Sequence, residues 1–162
     1  MATHIRVSTL IPASRAQVWN VVRDIGSHVR WMHDAEAIRF TSSKREGVGT
    51  AFECDSRLGP FRLTDRMEVV EWREGRAMAI RHVGKVTGVG RFTLRLRPRG
   101  TLFVWQETLR FPWWMGGPLG SRMAAPLFRR IWKRNLSKLR REVETGRSFS
   151  PRFSHSRSAR PR

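Results

Sequence analysis

The chain has 162 residues, enough for one domain with a full hydrophobic core and a short tail. It is 40% hydrophobic, and 32 Lys and Arg against 13 Asp and Glu leave a formal charge of +19, a field that favours anionic partners such as nucleic acid or acidic lipid headgroups. A single cysteine, Cys54, excludes an intramolecular disulfide and a cysteine-based metal site, and no apolar run approaches the ~20 residues of a spanning helix.

The first element is a strand, because in "THIRVSTLI" Ile5, Val7, Thr9 and Ile11 share one face and His4, Arg6 and Ser8 the other. Pro12 ends it, and Ser14 is placed to cap a helix carrying Val18, Trp19, Val21, Val22 and Ile25. Gly26 closes that helix, and a second short one follows through Val29, Trp31 and Met32. From Glu36 to Phe111 strand follows strand: "EAIRFTSS", "GTAFECDSR", "FRLTDRMEVVEW", "AMAIRHVG", "GRFTLRLRPRG" and "TLFVWQETLRF". Their connections are short and contain Gly or Pro, which implies an antiparallel meander.

The stretch "FPWWMGGPLG" is uncharged and rich in Gly and Pro, and reads as a loop. A long helix is expected over residues 121–144, with Met123, Leu127, Ile131 and Leu139 as its apolar stripe and Phe128 and Leu136 widening it. From Arg122 onward there are 13 Arg or Lys against Glu142 and Glu144, a net of +11. Residues 146–162 are Ser-, Arg- and Pro-rich without periodicity and read as a disordered basic tail after a domain spanning 1–145.

The fold class is therefore α+β: a curved antiparallel sheet wrapped around the long helix. This order, together with "IPASRAQVWNVVRDIGSHVRWM", resembles the START-like (SRPBCC) polyketide cyclase/dehydrase and lipid-transport superfamily, with Pro12, Ala13, Val18, Trp19 and Trp31 at its motif positions. "MEVVEWREGRAMAIR" is similar to its two-strand segment. The resemblance covers residues 3 to about 145 and implies a helix-grip fold, with an apolar cavity between sheet and helix that holds a lipid, sterol, polyketide, hormone or quinone.

Strand parity then nominates the lining of such a cavity: Phe52, Met67 and Val69, Ile80 and Phe92, and Phe103 and Trp105, with Leu127 from the helix. Three polar residues fall in register with apolar neighbours: Asp65, His82 and Glu107. A buried carboxylate beside an imidazole is costly unless paired, and such a pair suits acid–base chemistry, so these three are the catalytic candidates. The competing reading has Asp65 paired with Arg62, Arg66 or Arg91, Glu107 holding an arginine of a neighbouring strand, and His82 in solvent. His33 and Asp34 fall near the expected mouth. Trp113, Trp114 and Met115 form the lip of the pocket, a plug at the sheet end, or a membrane-contacting loop flanked by arginines.

The scattered histidines have no metal-ligand spacing, and no phosphate-binding glycine loop occurs, so no metal or cofactor is expected. The expected function is binding of a hydrophobic small molecule. The alternatives are a cyclase- or dehydratase-like enzyme, with Arg91 steadying an enolate, and non-specific binding of anionic membrane or nucleic acid through the basic C-terminal region. The default compartment is the cytoplasm, with attachment to the membrane surface as an extension.

Overall fold

In a computed structural model of the protein, the described residues are 2–58, 61–111, 113 and 117–146. Seven strands form one antiparallel sheet: β1 (Thr3–Ile11), β2 (Ala35–Phe40), β3 (Ala51–Leu58), β4 (Phe61–Arg73), β5 (Ala77–Val83), β6 (Thr87–Arg97) and β7 (Gly100–Arg110). The spatial order is β1-β7-β6-β5-β4-β3-β2, so the meander runs from β2 through to β7 and β1 closes its far edge. Register shifts at Ala35/Ala37 and at Val69/Glu71 break the ladders locally, and such bulges bend a strand and strengthen its twist.

Helix α1 (Arg15–Val22) starts at a capping box: Ser14 Oγ accepts from Gln17 N at 3.2 Å, and Gln17 Oε1 accepts from Ser14 N at 2.9 Å. Two otherwise unmet backbone donors are thereby satisfied. The second short helix is a 3-10 segment, Ile25–Arg30, leading to the fully buried Trp31. Trp19 of the "VW" motif is a framework residue. Its ring meets Trp72 edge-on at 5.1 Å, and its Nε1 donates to Glu74, which Arg23 and Trp72 also grip.

The long helix α2 spans Gly117–Glu144, so it begins inside the segment whose glycines and prolines suggest a loop. Pro126 lies within it. The face it buries keeps Phe128, Leu136 and Leu139 of the expected set but not Met123 or Leu127. Phe128, Trp132, Asn135, Leu136, Leu139 and Val143 are buried, whereas Leu127 is 58% and Met123 76% exposed. The buried set follows i, i+4, i+7, i+8, i+11, i+15 spacing, one helical face rotated from Leu127 toward Trp132. Two stacked aromatic pairs join this face to β7 and the residue after it: Trp105 with Trp132 at 4.9 Å and Phe111 with Phe128 at 5.7 Å. Asn135 is fully buried with both ends of its amide bonded: Oδ1 accepts from His33 N at 2.8 Å and Nδ2 donates to Asp34 Oδ1 at 2.7 Å. No helix among the described residues is long and apolar enough to cross a membrane. Of the expected basic tail, residues 146–162, all but Gly146 lies outside the described residues.

This packing makes an asymmetric expectation. Leu139→Ala should cost about 2–5 kcal/mol, while Leu127→Ala should stay within about 0.5 kcal/mol, as for an ordinary surface change. Urea denaturation of the two variants is the check; equal losses would mean that the buried face has been misassigned.

Candidate functional site

Helix α2 packs mainly on β1, with lesser contact to β7 and α1, so the concave face toward β3–β5 is only partly covered. A cavity of about 130 Å³, partly open to solvent, remains there. A dry apolar cavity of about 150 Å³ is known to hold one benzene, so the space at rest accepts about one small ring. Phe92, Trp105, Phe128 and Trp132 supply aromatic wall, and Phe52, Met67 and Ile80 line it from β3, β4 and β5.

Of the residues nominated from strand parity, Phe52, Met67, Ile80, Phe92 and Trp105 thus face the cavity, while Val69 and Phe103 are fully buried in the surrounding core without lining it. Leu127 is a correction: the helix turns it to the exterior, and Phe128 and Trp132 take the lining role. Trp113 is 86% exposed; Trp114 and Met115 lie outside the described residues. Asp34 lines the cavity, held by Asn135.

Asp65, His82 and Glu107, from β4, β5 and β7, meet at the cavity wall. His82 Nδ1 lies 2.6 Å from Asp65 Oδ2, and its Nε2 lies 3.5 Å from Glu107 Oε2. Trp105 Nε1 donates to the other Glu107 oxygen at 2.8 Å. Both carboxylates are buried, Asp65 at 3% and Glu107 at 7% exposure. No arginine takes the place of His82 in this set. Arg91 instead makes a bidentate bond to Glu71, and by alternation with Phe92 it sits on the opposite face of the sheet, which removes it as an enolate partner.

Glycines make room for the set. A Cβ at Gly90, opposite Glu107 in the β6–β7 register, would overlap the Glu107 carboxylate, and one at Gly84 would overlap that of Asp65. Gly88, with φ +151°, passes so close to β7 that a Cβ would strike the Thr108 carbonyl. β6 starts at Thr87, earlier than its Gly-rich sequence suggests. His82 also borders, with Arg81, Gly88, Thr108 and Arg110, a more open depression on the outer face.

Burial by itself would lower the His82 pKa, but the hydrogen bond to Asp65 and the nearby Asp65 and Glu107 carboxylates outweigh it and raise the value to about 9. The ring is therefore an imidazolium at neutral pH. His28, which also lines the cavity, behaves oppositely. Complete burial lowers it to about 4 despite its 2.7 Å contact with the Val22 carbonyl, so it is neutral. Burial raises the Cys54 thiol to about 11, against the lowering effect of its Ser56 contact, so the cavity contains no reactive thiolate. Among the described residues no cluster of three or more His, Cys, Asp or Glu is arranged to hold a metal ion.

His28, Trp132 and Asn135 were not legible as site residues. Trp132 had a signal, its i+4 spacing from Phe128 and to Leu136. His28 lies in a 3-10 turn, where no helical or strand period applies.

The sequence matches the family described as polyketide cyclase/dehydrase and lipid transport over residues 2–144. The chain belongs to this family. Among solved structures it is similar to TTHA0849 from Thermus thermophilus, with 18% identity and TM-score 0.76 over 90% of this chain and 100% of that one. It is also similar to the Zhui aromatase/cyclase from Streptomyces sp. R1128, with 16% identity and TM-score 0.69 over 89% and 94% of the two chains. The di-domain aromatase/cyclase StfQ of the steffimycin biosynthetic pathway aligns with 9% identity and TM-score 0.75 over 90% of this chain and 52% of that one. At these identities the likeness is one of fold. A search of curated proteins finds no match.

The charge assignments set a pH dependence. The folded-state pKa of His82 is raised, so its contribution to stability is complete below the unfolded value of about 6.5 and is lost as pH rises through about 9. The His28 pKa is depressed, so its contribution is complete above about 6.5 and is lost as pH falls toward 4. His82→Gln should flatten the alkaline limb of a stability–pH profile and leave the acid limb. Denaturant titrations from about pH 4 to about pH 10 give the readout, and an unchanged alkaline limb in the variant would contradict the assignment.

Proposed function

We propose that this protein binds a small, largely apolar molecule in the cavity between sheet and α2. The observation that carries the reading is an unfilled space walled by Phe92, Trp105, Phe128 and Trp132 in an otherwise packed interior, with a few polar groups at one side. That is the usual composition of a small-molecule site. The resting volume suits one ring, so a larger ligand needs α2 to shift. Family membership agrees with a hydrophobic ligand.

A second reading is favoured by one specific observation, the imidazolium of His82 held beside Glu107 at the cavity wall. For a β-hydroxy ketone the two groups have complementary tasks. Glu107 takes the proton on the carbon next to the carbonyl, a carbon–carbon double bond forms as the carbon–oxygen bond breaks, and His82 Nε2 protonates the departing hydroxyl to give water. Asp65 then steadies the ring and holds its Nδ1 proton. The outer depression beside His82 supplies a route by which solvent restores the protons. Both family words, cyclase and dehydrase, are compatible with this acid–base use.

Toluene binding tests the first reading. Titration should change tryptophan fluorescence, since Trp105 and Trp132 line the cavity. Cys54→Phe, which fills the space from β3, should lose that response while retaining a cooperative unfolding transition. Absence of toluene binding to the wild type, or full binding by the filled variant, would refute the cavity as the site. The second reading requires measurable loss of water from a β-hydroxy ketone probe, falling at least about a hundredfold in His82→Gln if the ring is the general acid.

A further inference from the structure

The hydrogen bonding of the Asp65–His82–Glu107 set is incomplete, and what is missing has a definite chemistry. An imidazolium has two N–H donors and no acceptor, and a carboxylate has acceptors only. His82 Nδ1 is used by Asp65 at 2.6 Å. Its Nε2 faces Glu107 Oε2 at 3.5 Å, close enough for charge attraction but beyond a proper hydrogen bond, and Glu107 Oε2 is buried with no hydrogen-bond partner. The other Glu107 oxygen is committed to the Trp105 indole. Asp65 Oδ1 is also buried without a partner, but it is the His82 Nε2 donor and the Glu107 Oε2 acceptor that remain side by side at the cavity wall. Leaving such buried groups unmatched is destabilising, and more so when they are charged.

We infer that the cavity selects a ligand carrying a neutral hydroxyl group, which accepts from His82 Nε2–H and donates to Glu107 Oε2 while its carbon skeleton lies against Phe92, Trp105, Phe128 and Trp132. The inference rests on the cavity-binding reading and adds the polar end of the ligand. A hydroxyl is matched because it is donor and acceptor at once. A carboxylate ligand offers acceptors only and meets Glu107 with like charge. An ammonium offers donors only, meets the imidazolium with like charge, and must shed its hydration in an apolar space. A hydrocarbon leaves both protein groups unpaired. The terminal torsion of a Glu side chain is soft, so a small rotation turns Oε2 to the ligand without disturbing β7. The missing side chain at Gly90 gives that carboxylate the space it occupies.

The test compares three ligands of one shape, p-cresol, toluene and p-toluate, by tryptophan fluorescence or calorimetric titration of the full chain. p-Cresol should bind the wild type at least about tenfold more tightly than toluene, and p-toluate more weakly than either. In Glu107→Gln the p-cresol-to-toluene affinity ratio should fall toward one. Because both affinities are measured in the same variant, the ratio does not depend on the fraction that folds. Equal affinities of p-cresol and toluene in the wild type would overturn the hydroxyl inference while leaving the apolar cavity as a binding site. Binding of none of the three would overturn the cavity reading itself. p-Toluate binding as tightly as p-cresol, or a ratio unchanged in Glu107→Gln, would overturn the assignment of the polar end to the His82–Glu107 pair.

Discussion

The structure depends on a mismatch between a broad curved sheet and a single helix long enough to cover it. Seven strands at their usual spacing span about 29 Å from first to last, whereas a helix with its side chains is about 10–12 Å across. Helix α2 settles against β1 and the neighbouring β7, where the two stacked aromatic pairs hold it. α1 and the 3-10 turn supply further cover, with Trp31 packed edge-on against Trp105. Together they leave part of the concave face between β3 and β6 uncovered, and the cavity lies there, with His28, Phe128 and Trp132 at its wall.

The polar set at its wall is costly to build. Burying ionised groups is offset only where geometry is good and the remaining hydrogen bonds are met, and here one of the two His82 contacts is long. The sheet accommodates the set through glycines, and Gly84 and Gly90 each give up a side chain where a carboxylate needs the space. Helix, turn and cavity are also coupled through one residue. Asn135 holds the His33–Asp34 backbone and side chain, and Asp34 is part of the cavity wall. A displacement of α2 is thus felt at the mouth of the site as well as along its aromatic wall.

Much of the fold was legible because strand alternation and Gly- or Pro-marked turns are local signals. The Ser14 cap, the β1 alternation and the strand sequence from β2 to β7 all follow from residues close in the chain. The errors lie where a local signal was ambiguous. α2 offered two overlapping apolar stripes, and Leu127 belonged to the one that faces outward. Gly117, Pro118 and Gly120 read as loop residues, but they are the first turn of the helix. A proline is tolerated in the first turn of a helix, where its missing N–H would have no intrahelical partner.

Alternation by itself determined that Asp65, His82 and Glu107 share the faces of apolar neighbours, because side chains two apart in a strand point the same way. It did not determine whom they would meet there. The β4–β5 and β6–β7 registers bring three residues far apart in the chain to one wall, and they leave the arginines that could have paired with the carboxylates elsewhere, Arg91 bound to Glu71 among them. The same limit applies to α2. Amphipathicity requires that the helix bury a face, but the face it buries is the one its Trp132 and Phe128 can stack on Trp105 and Phe111. Periodicity is a property of one segment, whereas partnership belongs to the sheet as a whole, and only the closed tertiary structure supplies it.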